Sequence, residues 1–211
     1  MVRYFYKDDK LVDHKGNAVM MGWEKPIMRK VAEIICSNGG DILNIGFGMG
    51  IVDSYISEHN ISSHVIIENH PDVYNFLNEN GWNSKENTKV FFDSWQNVID
   101  VVGTFDGIYL DTWCDARESY VKTLLDKNLK VGGIFSMWYN EDEFNNIMGQ
   151  LDENYVVTFE YLTNDDLIPT YQHENGKTYI EPSNEFITIP IVKKNSISYL
   201  IVQQFLTIFK L

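Results

Sequence analysis

The stretch Asp41-Ile42-Leu43-Asn44-Ile45-Gly46-Phe47-Gly48-Met49-Gly50 decides the fold. A mostly apolar run leads into three glycines at alternate positions. A run such as Ile42 to Ile45 suits a strand buried on both faces, as in a parallel sheet. The glycines that follow allow a sharp turn and a close approach of backbone to a ligand. The next apolar run, His64-Val65-Ile66-Ile67, ends in Glu68. A carboxylate about twenty residues beyond such a loop is placed to accept hydrogen bonds from ribose hydroxyls.

Glycine spacing narrows the choice of nucleoside ligand. The dinucleotide fingerprint Gly-x-Gly-x-x-Gly needs its third glycine where Ile51 stands, counting from Gly46, or where Asp53 stands, counting from Gly48. Neither fits, which disfavours NAD and FAD. The Gly-Lys-Ser/Thr of an ATP-type phosphate loop is absent as well. Gly-x-Gly-x-Gly after a first strand resembles the loop of class I methyltransferases, which bind S-adenosyl-L-methionine. A plain strand-to-helix turn is the alternative for the loop taken alone.

Outward from this loop, helical and extended patterns alternate. Before it, residues 4–21 read as two short extended pieces around the turn Lys15-Gly16-Asn17. Pro26 then opens a helix whose apolar spacing (Ile27, Met28, Val31, Ile34, Ile35) runs to the stop Asn38-Gly39-Gly40. After it, a helix is expected over 51–58, a strand ending at Glu68, and a helix from Pro71 to Asn80-Gly81. A strand over 89–92 is followed by the turn Asp93-Ser94-Trp95-Gln96, and a strand over 105–110 ends at Asp111. A helix over 116–127, the turn Val131-Gly132-Gly133, a strand over 134–138 and a helix over 141–151 come next. Strands over 155–161 and 186–192 flank a polar, turn-rich segment, 164–182. This alternation implies an α/β fold, a parallel sheet with helices on both faces. Ligands in such sheets bind beyond the carboxyl ends of the strands, and Gly46, Glu68, Asp93 and Asp111 all fall there. One domain is expected over 1–194, with a short N-terminal hairpin. The apolar tail, 195–211, is too short and interrupted to span a bilayer. It is expected to pack on the core or on a neighbouring subunit, as in a homodimer.

Composition bounds the partners. With 211 residues, 44% of them hydrophobic, the chain can build a sizeable single core. A formal net charge of -13 leaves no cationic surplus to displace counterions from nucleic acid, and it tolerates a cationic substrate. The two cysteines, Cys36 and Cys114, lie far apart with no paired spacing for zinc, so no metal and no disulfide framework is expected. The charged, aromatic start, Met1 to Lys10, does not read as a secretory signal, and a cytoplasmic location is expected.

Two acids stand apart from the nucleoside pattern. Glu24 follows Trp23 at a helix entry, and Asp111 ends a strand at the expected crevice. Two carboxylates there suit a guanidinium, since each can accept parallel N–H···O bonds from a planar fork. A guanidinium has a pKa above about 12 and a delocalised lone pair. Carboxylates can localise its charge and accept the proton as a methyl group arrives. The simpler readings are a helix-start acid for Glu24, a loop cap for Asp111, and core packing for Met20 and Met28.

Four motifs carry a further resemblance. Val19-Met20-Met21-x-Trp23-Glu24-x-Pro26-x-Met28, Leu43 to Ile51, Ile66-Ile67-Glu68-x-His70-Pro71 and Phe105-Asp106-x-Ile108-Tyr109-x-Asp111-Thr112 resemble the guanidinoacetate N-methyltransferase and type IV (delta-N) arginine methyltransferase family. The resemblance implies a class I methyltransferase (Rossmann-like) sandwich with a mostly parallel seven-stranded sheet. It implies that Met20, Gly46, Phe47, Gly48, Met49, Gly50 and Ile51 line the methionine end of S-adenosyl-L-methionine, with Met28 nearby. It places Glu68 on the ribose with Asn69 and His70 beside it, and Trp95 and Gln96 by the adenine. Glu24 and Asp111 are the implied catalytic pair, Asp111 also touching the cofactor, whose product is S-adenosyl-L-homocysteine. Arginine, free or in a peptide or protein, is the expected acceptor. Guanidinoacetate or another small guanidino compound is the alternative, and a non-catalytic scaffold that binds the cofactor is an alternative of a different class.

Overall fold

The computed structural model describes residues 2–112, 118–138, 140–163 and 186–196. Three short strands come first: β1 (Tyr4–Lys7), β2 (Lys10–Asp13) and β3 (Ala18–Met21), an antiparallel meander. The expected hairpin is thus three strands. The additional turn is at Asp8, which takes a left-handed φ of 53° without the glycine that usually marks such a bend.

A single 3₁₀ turn, Gly22–Glu24, leads into α1 (Lys25–Ile35). Then follow β4 (Asp41–Ile45), α2 (Ile51–Ile56), β5 (Ser63–Glu68), α3 (Pro71–Glu79), β6 (Thr88–Phe92), α4 (Trp95–Val98) and β7 (Phe105–Leu110). The rest is α5 (Glu118–Asn128), β8 (Leu129–Met137), α6 (Glu141–Met148), β9 (Tyr155–Thr163) and β10 (Phe186–Lys194). The expected polar segment 164–182 and the tail from 197 onward lie outside the described residues.

The large sheet has seven strands in the order β6-β5-β4-β7-β8-β10-β9. Strands β6 to β8 run parallel, and β10 is antiparallel to both β8 and β9. Alternate residues of the central strands face two cores. Ile42 and Ile66 join α1, α2, α3 and the small sheet on one side. Leu43, Ile45, Val65 and Ile67 join α4, α5 and α6 on the other. None of the helices among the described residues is long and apolar enough to cross a membrane.

The expected turn at Val131-Gly132-Gly133 belongs to β8 itself. Phe105 pairs with Leu129 but Gly107 pairs with Ile134, so three extra residues bulge out of β8. Gly132, at φ +83°, takes the backbone conformation the bulge needs. The chain leaves β4 toward β5 and β6 on one side and later builds β7 and β8 on the other. The crevice at that reversal is where this class of sheet binds ligands.

Candidate functional site

A cavity of about 360 Å³ opens at this reversal, within the range of small-molecule sites. Its wall includes Gly46 after β4, Glu68 at the end of β5, Asp93 after β6 and Asp111 after β7. Four positions distant in sequence meet there because parallel strands present all their carboxyl ends on one edge.

Gly46 sits at φ +93°, and a Cβ there would collide with the backbone carbonyl of Asp111. That contact lets β4 and β7 end side by side, with the Asp111 amide donating to Ile45 O at 2.9 Å. Glu68 is only 7% exposed. Its Oε2 accepts from the Phe47 amide at 2.9 Å and its Oε1 from the His70 amide at 2.6 Å. Burial raises its pKa; the His70, Phe47 and Asn69 amides and the His70 ring oppose that rise.

Glu24 is 2% exposed and lines the same cavity. The chain doubles back at the 3₁₀ turn, so the Met21 amide donates to Glu24 Oε1 at 2.7 Å. Burial pushes the Glu24 pKa well above the ordinary carboxylate range, and the charge of Asp111 pushes it further. Only the single Met21 amide opposes this.

The small sheet closes the other side. Tyr6 donates its hydroxyl to Gly48 O at 2.7 Å and stacks on Phe76. The Met49 amide reaches the Met20 sulfur at 3.1 Å. Tyr4 stacks on His70 with ring centroids 3.9 Å apart. His70 Nδ1 lies 3.3 Å from the Asp72 amide nitrogen and Nε2 2.9 Å from Val2 O.

Of the residues singled out from sequence, Met20, Glu24, Gly46, Gly48, Glu68, Asn69, His70, Trp95 and Asp111 line the cavity. Met28, Phe47, Met49, Gly50, Ile51 and Gln96 are not on its wall. Met28 is fully buried in the core with the rest of the inner face of α1. Phe47 turns away to meet Trp82 edge-on. Gly50 and Ile51 begin α2.

Trp138, Asn140 and Glu143 also line the cavity, beyond β8, and were not singled out individually from sequence. Asn140 caps α6, accepting from the Glu143 amide at 3.1 Å. The sequence does carry that signal, an Asn followed three residues later by Glu. It marks a helix start and says nothing about which wall the helix start completes.

The family described as guanidinoacetate N-methyltransferase matches residues 2–169. Protein arginine N-methyltransferase 2 of Aspergillus oryzae is 40% identical over 116 residues, 53% of this chain and 28% of that protein. The Saccharomyces cerevisiae protein of the same name is 40% identical over 146 residues, 63% of this chain and 35% of that one. The chain therefore spans well under half the length of these relatives. Among solved structures, a precorrin-6y C5,15-methyltransferase from Geobacter metallireducens superposes with a TM-score of 0.62 at 15% identity, covering 90% of this chain and 95% of that one. Podospora anserina methyltransferase PaMTH1, solved with S-adenosylhomocysteine, gives 0.56 at 16%, covering 82% and 78%. At such identities these likenesses show the shared fold.

Proposed function

The chain belongs to the guanidinoacetate N-methyltransferase family, and from that membership we propose that it transfers a methyl group from S-adenosylmethionine to a guanidino nitrogen of arginine. The observation that carries this is the meeting of Glu24 and Asp111 in the cavity that Gly46 and Glu68 also line. The wall fits the donor: a glycine where a Cβ cannot go, a carboxylate pinned by backbone amides, and the Trp95 ring. S-adenosylmethionine supplies a methyl on a sulfonium and leaves as a neutral thioether.

The protein's own residues do the rest. Glu68 would hold the ribose of the donor. Glu24 and Asp111 clamp the guanidinium and localise its charge away from the reacting nitrogen. A cation arriving between them favours the charged form of both carboxylates, working against the burial and the Asp111 charge that raise the Glu24 pKa. Glu24 then accepts the proton that the guanidino group loses on methylation. Holding both partners in one cavity supplies much of the acceleration.

Five carboxylate residues (Glu24, Glu68, Asp93, Asp111, Glu143) and no lysine or arginine line the cavity among the described residues. Among the described residues, a carboxylate on the acceptor finds no lysine or arginine there. That favours an arginine side chain over guanidinoacetate. The test is incubation with isotopically labelled donor and a panel of arginine, an arginyl peptide, agmatine and guanidinoacetate. Label in the arginyl compounds, located on a guanidino nitrogen by fragmentation, is the expected result. Label in guanidinoacetate alone would reassign the acceptor, and label in none would remove the activity.

A further inference from the structure

Beneath the glycine loop, away from the cavity wall, lie three buried polar side chains that the reaction as described does not use. Asn44 on β4, Asp53 on α2 and His64 on β5 are 0%, 0% and 2% exposed. Asn44 Nδ2 lies 2.9 Å from each oxygen of Asp53 and donates to Gly46 O at 3.0 Å. His64 Nε2 approaches Asp53 Oδ1 to 3.1 Å without hydrogen-bond alignment. Lys85, its ammonium over the Trp82 ring, also feels the Asp53 charge.

An amide has two N–H bonds. Here one serves the Gly46 carbonyl and the other is shared by the carboxylate oxygens. An unassisted Asn can turn over and present its oxygen instead. Against Asp53 it cannot, because oxygen would then face a carboxylate. Asp53 therefore fixes which way the Asn44 amide points, and the amide fixes the Gly46 carbonyl. That carbonyl and the Phe47 N–H belong to one planar peptide unit. Its other end donates to Glu68 Oε2 at 2.9 Å.

We propose that Asn44 and Asp53 are positioning residues for the donor site, setting the plane of the Gly46–Phe47 peptide and through it the Glu68 carboxylate. The inference rests on the reading of the cavity given above. A buried carboxylate set against an amide and an imidazole costs free energy that an apolar side chain filling the same space would not.

The decisive variant exchanges the pair, Asn44→Asp with Asp53→Asn. The exchange restores a hydrogen bond between positions 44 and 53 but sets a carboxylate oxygen against Gly46 O. The probe is S-adenosylhomocysteine, titrated calorimetrically, with melting temperature and acceptor KM measured in parallel. Expected are a near-native melting temperature, affinity weakened about tenfold or more, and an unchanged acceptor KM. In a Glu68→Gln background the same exchange should add little, because its effect runs through Glu68. Affinity within twofold of the parent, or equal losses for donor and acceptor, overturns the proposal.

Should the exchanged chain not fold, Asp53→Asn alone decides. It keeps the volume but frees the Asn44 amide to turn over, and should weaken the probe at least about threefold; parental affinity overturns the proposal. A parent that does not take up the probe overturns the donor reading and this inference together. Uptake by the parent with no effect of the variants overturns this inference alone.

Discussion

Glu68 and Glu24 are nearly equally buried carboxylates on one cavity, 7% and 2% exposed, and their surroundings treat them differently. Three backbone amides and a histidine ring work against the burial of Glu68. Glu24 has one amide and a second carboxylate for a neighbour. Donors aimed at a carboxylate favour its charged form, and a like charge disfavours it. The contrast separates a carboxylate held by several backbone donors from one held by a single donor beside a like charge. On the proposed function, the glycine-loop wall is the binding wall and the wall of Glu24 and Asp111 the reacting one.

The strongest challenge to this division is Asp111→Ala. It should cut methyl transfer about 10³-fold or more, within the span of general acid–base and charge-stabilising effects, while the melting curve stays close to the parent's. Initial rates with labelled donor check it, and parental turnover would remove Asp111 from the chemistry.

Next comes Glu24→Gln, expected to lower kcat about 10²-fold with S-adenosylhomocysteine affinity within about threefold of the parent. The same variant should be more stable at neutral pH. Above the ordinary glutamate pKa of about 4.3 the unfolded chain loses this proton while the folded chain, its pKa raised, keeps it. The folded state then binds more protons than the unfolded one. Stability therefore falls as pH rises, until the folded pKa is passed. Glutamine escapes that loss. The melting temperature should rise by about 2–4 °C at pH 7–8, the shift that about 1 kcal/mol gives a chain of this size, and the gain should vanish near pH 4. A fall at pH 8 would show that Glu24 is a stabilising anion.

Glu68→Gln should do the converse. Donor affinity is expected to drop about tenfold through weakened charge-assisted hydrogen bonds, with acceptor KM held. Calorimetry and steady-state kinetics together check it; an acceptor effect larger than the donor effect would merge the two walls into one.

The smallest effect is expected away from both walls. Burial pushes the Cys36 thiol up to about 12, so the native protein should not be alkylated there at pH 8. Peptide mapping after iodoacetamide treatment checks this, and rapid labelling would mean that α1 opens.

The two walls were not equally legible in sequence. The binding wall is local: an apolar strand, a glycine turn, and an acid at the end of the next strand. Those cues need only strand periodicity and the rule that crevices form at carboxyl ends. Which residues of the loop face the ligand was less clear. Phe47 and Ile51 sit in the glycine motif yet join the core, Phe47 edge-on to Trp82 and Ile51 as the first residue of α2.

The reacting wall depends on long-range closure. Glu24 reaches Asp111 only because the small sheet and the 3₁₀ turn fold back over the strand ends, and the Asp8 bend that builds this sheet has no glycine to announce it. Trp138 and Glu143 join the cavity because β8 lies beside β7. Its true start, Leu129, was hidden by glycines that read as a turn and form a bulge. The Asn44–Asp53 pair spans a strand and a helix, and no periodicity marks it.

The most direct test of the division is a crystal structure with S-adenosylhomocysteine and an arginyl peptide bound together. The account predicts the ribose hydroxyls on Glu68 and the guanidino group between Glu24 and Asp111. One of its nitrogens should lie in line with the sulfur, about 3–3.5 Å from where the transferred carbon would sit. A guanidino group bound elsewhere, or a ribose held by Glu24 in place of Glu68, would contradict it.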